Sequence, residues 1–342
     1  MNKAVKDLIE ISQYAGRRVD YTQGGGGNTS VKDGGVMYIK ASGFRLKDID
    51  ENTAYVPMDL EKIRNFFDKV DLSDGKDHEA ENKAVTAEAT LKREGLAPLR
   101  PSVEVGFHSV LKKYVIHTHS VYANLLTCAV RGKELAEKIF AGADFDYIFM
   151  PYIDPGFTLS VKMKEAVSAY EKATGRYPEV IFMQNHGLVV SADTIERVKA
   201  VNEEVNIKIA AFFAIKDGVD AVCLKEEGEG KYLTQTPLIG KFVKENGLTK
   251  ALLDEYPLYP DQLVYLNNVI NFAPEKLVCD GESVRYNTNE KEATTLEETL
   301  FAYLFAISVL KKHGEEISTM SEKDVDFINN WEAEKYRRSL SK

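Results

Sequence analysis

The sequence predicts an α/β protein, with a main α/β domain over residues 1–240 and a smaller C-terminal α+β unit over 241–342. Three observations point there. Short β-branched runs such as "YVIHT" (114–118) and "EVIFM" (179–183) have strand character. Between them lie longer stretches with apolar residues at helical spacing. Composition then turns polar over 216–237, which reads as a connector between two units. A chain of 342 residues that is 44% hydrophobic can bury a large core.

Each element follows in order. Residues 3–15 read as a first helix ending near Gly16. "GGGGNTSVKDGGVMYIKASGF" (24–44) alternates β-branched pieces with glycine-rich turns, the pattern of a hairpin whose loops expose backbone N–H groups. Residues 60–70 are helical, and 79–95 form a solvated, charged helix. Residues 103–111 have helical spacing and lead into a strand over 114–118. A helix is expected over 121–140, a proline-broken strand over 147–157, and a helix through about Ala173. Residues 179–192 give two short strands meeting at Asn185-His186-Gly187, followed by a long helix over 193–216 capped by Ser191 or Asp193. In the C-terminal unit, 255–266 and 275–287 read as strands, 294–314 as a helix and 321–340 as a closing helix.

A net charge of −9 leaves no basic footprint, so neither a nucleic-acid backbone nor an anionic membrane surface is the expected partner. The three cysteines lie far apart without a CxxC pair, which suggests no zinc ribbon or disulfide framework and fits a reducing compartment. The N-terminus is amphipathic with both charge signs, unlike a signal peptide, and no run of about 18 apolar residues is evident. A cytoplasmic protein is the expectation.

"HTHS" carries the chemistry. On a strand, alternate side chains share a face, so His117 and His119 project together while Ile116 and Thr118 point the other way. Two imidazoles so placed suit one metal ion, although an H-x-H pair alone is more often two hydrogen-bonded or exposed histidines than a metal site. His186, at the tip of the later strand pair, supplies a third imidazole, and catalytic zinc commonly keeps three protein ligands and an open position. Glu104 and His108 are further candidates, four residues apart on one helical face. The glycine run followed by Asn28 and Thr29, with the turn Lys40-Ala41-Ser42-Gly43, forms an anion-binding concavity to which Lys40 adds charge.

In this order, "GGGGNTSVK", "IKASG", "RPSVEVGFH", "VIHTHSVYA", "MPYIDPGF" and "QNHGL" resemble the class II aldolase/adducin family over roughly residues 20–210. More narrowly, "RPSVE", "HTHS", "PYIDPGF" and "INNWEAEK" look like the aldolase half of bifunctional rhamnulose-phosphate aldolase/dehydrogenase proteins. No GxGxxG strand-turn-helix is present, so no counterpart of the dehydrogenase half is expected. The resemblance implies a three-layer α/β/α fold around a central, mainly antiparallel sheet. It implies that His117, His119 and His186 hold Zn²⁺ or another divalent transition metal, and that Glu104 is the acid/base carboxylate. Asn28, Thr29, Ser42, Gly43 and Ser102 fall where phosphoketose aldolases hold the substrate phosphate. Pro101 and Lys40 depart from the family pattern, which often has a serine and an apolar residue there. Tyr152 is the candidate acid for the departing alkoxide.

The function so implied is zinc-dependent, reversible aldol cleavage of a ketose or ketose 1-phosphate to a dihydroxyacetone (phosphate) fragment and an aldehyde. An epimerase or dehydratase of a sugar phosphate using the same metal-stabilised enediolate is an alternative, as is a non-catalytic, adducin-like interaction module. Glu104, where pentulose-phosphate epimerases typically carry a shorter carboxylate, favours the aldolase. A homo-oligomer, with a tetramer favoured, is expected, and the C-terminal unit is read as a lid or oligomer contact.

Overall fold

The computed structural model describes residues 2–93, 98–216, 219 and 222–331. In chain order it runs α1 (Lys3–Gly16), β1 (Asn28–Asp33), β2 (Val36–Lys40), β3 (Tyr55–Asp59), α2 (Leu60–Lys69), α3 (His78–Ala89), α4 (Val105–Val110) and β4 (Tyr114–Thr118). There follow α5 (Ala123–Thr127), α6 (Gly132–Ile139), β5 (Asp146–Met150), α7 (Phe157–Thr174), β6 (Pro178–Met183), β7 (Gly187–Ala192) and α8 (Ile195–Phe212). The C-terminal part contains β8 (Leu224–Gly228), β9 (Lys231–Thr234), α9 (Pro237–Asn246), α10 (Lys250–Glu255), α11 (Asn268–Phe272), β10 (Leu277–Cys279), β11 (Val284–Asn287), α12 (Glu290–Lys312) and α13 (Glu322–Asn330).

Among the described residues, seven strands form one sheet in the order β3-β2-β1-β4-β7-β6-β5. Every pairing is antiparallel except β5 with β6. The alternation of β4 shows why there are three layers. Ile116 joins a cluster with Leu8 and Ile11 of α1 and Val201 and Val205 of α8. Val115, one residue earlier, faces the opposite side with Phe107 of α4 and Leu159 and Met163 of α7. Helices therefore cover both faces of a mainly antiparallel sheet, as the resemblance implied.

Several sequence expectations need correction. The helix expected over 121–140 is two, α5 and α6. Between them Val130 N donates to Glu316 O, and Ala129 bridges Ile317, so the backbone leaves the helix to pair with the C-terminal part. The cap of α8 is Thr194, whose side chain accepts from Arg197 N. Ser191 is engaged in β7 and with Tyr177, and Asp193 pairs with Lys112. The polar connector contains the hairpin β8–β9, which joins β11 and β10 in a four-stranded antiparallel sheet ordered β10-β11-β9-β8. That sheet takes two strands from each side of residue 240.

Residues 255–266, expected as a strand, begin with the last residue of α10 and are helical again from Pro260 onward. A π-helical turn, Gln262–Asn267, runs into α11. All six residues of that turn are buried, so no polar face exists to reveal a helical period. The solvated helix expected over 79–95 stops at Ala89, where Thr90 leaves it to bridge Met58; residues 94–95 and the closing helix beyond Trp331 lie outside the described residues. α12 is long and apolar enough to cross a membrane by length and composition, contrary to the reading that no such run exists, yet 83% of its 18-residue window is buried inside the protein. It is the central helix of the C-terminal part, in contact with α9, β9 and the π-helical turn.

Candidate metal centre and active site

The site assembles where β1, β4 and the β6–β7 turn meet. β4 pairs with β7 so that His117 faces Val189 and Thr118 faces Leu188. His186, just ahead of β7, therefore lies beside His119, just past the end of β4. Asn185 makes the turn by adopting φ 50°, a left-handed conformation that asparagine tolerates better than most residues. Gly187 is required by close approach, since a Cβ there would sit 2.5 Å from Thr118 O.

His117, His119 and His186 are all buried, and one ligand nitrogen from each falls within 4.8 Å of the others. His117 Nδ1 donates to Leu188 O at 3.0 Å, which leaves its Nε2 as an acceptor facing the cluster. His119 Nδ1 lies 2.5 Å from Asp261 Oδ2, and its Nε2 lies 3.1 Å from His117 Nε2. Two imidazole lone pairs facing each other at that distance repel unless a proton or a cation lies between them. Burial pushes the His117 imidazole down to about 3, so it does not carry that proton near neutral pH. His186 Nδ1, also buried, has no hydrogen-bond partner among the described residues. Three buried imidazoles, each with a ring nitrogen within 4.8 Å of the others, fit a divalent cation.

Glu104 stands against this cluster, immediately before α4. Its Oε2 lies 3.4 Å from His117 Nε2 and its Oε1 3.3 Å from His186 Nε2. Asn28 Nδ2 donates to Oε2 at 2.6 Å. Burial raises the carboxyl's pKa; His117 and His186 in their charged forms and the Asn28 amide oppose it, and the net direction is well below the usual carboxylate range. With His117 neutral, the positive charge that keeps Glu104 ionised has to come from a proton or a cation held elsewhere among these imidazoles.

His108, four residues on, does not join the cluster. It stacks on Phe107 and bonds Ser30 Oγ through Nδ1 and Asn28 Oδ1 through Nε2. That contact fixes the amide orientation of Asn28, so its NH₂ group points to Glu104. Burial, then Lys32, holds the His108 imidazole well below its ordinary range.

Asn28, Lys40, Ser42, Gly43 and Ser102 line the same pocket as Glu104, His119 and His186. Lys40 Nζ donates to Gly25 O at 2.7 Å and to Gly27 O at 2.9 Å, so it braces the glycine loop. Gly27 needs its φ of 64°, and a Cβ there would lie 2.6 Å from His117 O. The structure does not bring two candidates into the pocket. Thr29 points to the other face of β1 and meets Ser12 Oγ at 2.6 Å, as strand alternation dictates. Tyr152 lies beside Asp154 in the segment between β5 and α7, whereas Pro155 of that segment lines the pocket. Asp261 was missed. A carboxylate set in the apolar run "LYPDQLVYL" was the available signal, since a buried acid needs a partner.

The profile of the Class II Aldolase and Adducin N-terminal domain matches residues 6–208. The chain belongs to this class II aldolase/adducin family. It is 30% identical over 204 residues to a protein of Bacillus subtilis strain 168 described as the uncharacterized oxidoreductase YuxG, a match covering 57% of this chain and 27% of that protein. The N-terminal class II aldolase domain of a conserved Thermoplasma acidophilum protein is similar in structure, with a TM-score of 0.49 at 23% identity over 63% of this chain and 95% of that one. An L-fuculose 1-phosphate aldolase superposes with a TM-score of 0.42 at 21% identity, covering 66% of this chain and 92% of that one. The class II aldolase/adducin match spans β1 to β7 and all of Glu104, His117, His119 and His186, and ends ahead of Asp261.

Proposed function

We propose that this protein is a zinc-dependent aldolase that reversibly cleaves a ketose or ketose 1-phosphate to a dihydroxyacetone (phosphate) fragment and an aldehyde. The observation that carries this reading is the convergence of three buried imidazoles to within 4.8 Å beside the buried carboxyl of Glu104, 3.4 Å from His117 Nε2 and 3.3 Å from His186 Nε2. A divalent ion held by His117, His119 and His186 would act as a Lewis acid toward the ketose carbonyl. Glu104 handles the proton. In the direction of condensation its carboxylate takes a proton from the hydroxymethyl carbon of the three-carbon fragment, and in cleavage it returns that proton to the same carbon. Asn28 holds the carboxylate in place at 2.6 Å, and its own orientation is set by His108. Ser42, Gly43 and Ser102, with the Lys40-braced loop, form the polar end of the pocket that would receive a phosphate or a sugar hydroxyl. A homo-oligomeric, cytoplasmic enzyme, tetrameric by its resemblance, completes the reading.

The test is incubation of zinc-loaded protein with dihydroxyacetone phosphate, dihydroxyacetone and a panel of aldehydes, with identification of products. A new carbon–carbon bond that fails to form after zinc removal supports the proposal. Epimerisation or dehydration of supplied ketose phosphates without any condensation product would overturn it.

A further inference from the structure

Asp261 reaches the candidate metal centre from the C-terminal part, outside the residues matched by the family profile. Its Oδ2 lies 2.5 Å from His119 Nδ1, and both side chains are buried. The contact makes Nδ1 the protonated nitrogen and leaves the Nε2 lone pair facing His117 Nε2, 3.1 Å away. Gly26 is packed against this pair. A Cβ there would crowd Asp261 Oδ2 and sit 2.8 Å from His119 Nδ1. The segment that bears Asp261 also holds the turn of the third histidine, because Leu258 O accepts from Asn185 Nδ2 at 2.9 Å, next to His186.

We propose that Asp261 is a positioning residue through which the C-terminal part completes the metal centre, by fixing the tautomer and ring orientation of His119. This rests on reading His117, His119 and His186 as a metal-binding set. A carboxylate behind a ligating imidazole strengthens its hold on the ion, and removing such a partner typically weakens metal affinity about 10–100-fold. The family-matched segment then supplies the ligands, and the C-terminal part sets how tightly one of them binds.

The experiment titrates metal-free, full-length protein with Co²⁺ against a chromophoric chelator and records the visible absorption of the bound ion. Wild type should take up one Co²⁺ per chain, and His117→Ala should take up none. Asp261→Ala should keep the stoichiometry of wild type with affinity lowered roughly 10–100-fold. Asp261→Asn keeps the shape and still accepts from Nδ1–H without the charge, so it should fall between the two and shift the Co²⁺ spectrum. It also decides the matter if the alanine variant does not fold. Gly26→Ala, which crowds the pair but keeps the carboxylate, should weaken binding in the same direction. Equal affinity in wild type and Asp261→Asn, with an unchanged spectrum, would overturn the role of Asp261 and leave the metal reading intact. A wild type that takes up no Co²⁺ would overturn both.

Discussion

Asn28 Nδ2 donates to Glu104 Oε2 at 2.6 Å, joining the first residue of β1 to the carboxylate that precedes α4. A hydrogen bond to a buried charge contributes about 1.5–3 kcal/mol. Asn28→Ala should therefore lower unfolding free energy by about 2 kcal/mol in urea titrations. Asn28→Asp should be worse, because it sets a second carboxylate against Glu104. If aspartate is tolerated as well as alanine, Glu104 is not ionised in the native state.

Glu104→Gln keeps the side-chain shape and leaves the three imidazoles in place. Turnover should drop roughly 10²-fold or more, the scale for a positioned acid/base group, while divalent metal content by elemental analysis stays at the wild-type level. Near-normal turnover would remove Glu104 from the chemistry.

The buried His108 makes a prediction about pH. Burial first, and Lys32 next, depress its native pKa below the unfolded value of about 6.5. Below that pH the unfolded chain binds a proton that the native state does not. Stability of the metal-free protein should thus fall as pH drops from about 6.5, by up to ~1.4 kcal/mol per pH unit for each such group. His117, pushed down to about 3 by burial, acts in the same direction. Urea titrations at pH 7, 6 and 5 should show a shallower loss for His108→Gln than for wild type, and equal slopes would contradict the assignment.

Glu297 ties α12 to the second sheet. Its carboxylate accepts from Thr234 and Thr236 hydroxyls, each at 2.5 Å, and from Tyr286 at 2.6 Å. Glu297→Ala strands three buried hydroxyls and should cost about 3 kcal/mol, whereas Glu297→Gln should stay within about 1 kcal/mol of wild type. Comparable unfolding midpoints for the two variants would show that these hydrogen bonds do not hold the unit together.

How much of this was legible in the sequence depends on the range of the interactions. His117 and His119 share a face because strand geometry is local, and the hairpin carrying His186 was visible from two β-branched runs around an Asn-His-Gly turn. The same rule separates Asn28 from Thr29: adjacent residues on a strand face opposite sides, and a motif match does not say which side holds the site. The strands β8 and β9 were read as a connector because three of the five residues of β8, Lys225, Glu226 and Glu227, are exposed and charged. The apolar run around Asp261 flags a buried acid but not its partner, since the contact with His119 spans 142 residues and depends on how the C-terminal part docks.

The left-handed turn at Asn185 has a consequence for the order of assembly. Its amide is gripped by Leu258 O and Ser318 O, at 2.9 Å and 2.8 Å, so the conformation that presents His186 is secured by chain made 73 and 133 positions later. Contacts of such long sequence separation form late in folding, because loop closure comes before their reward. During refolding, cation uptake should therefore lag behind the appearance of the large sheet and mark arrival at the finished topology.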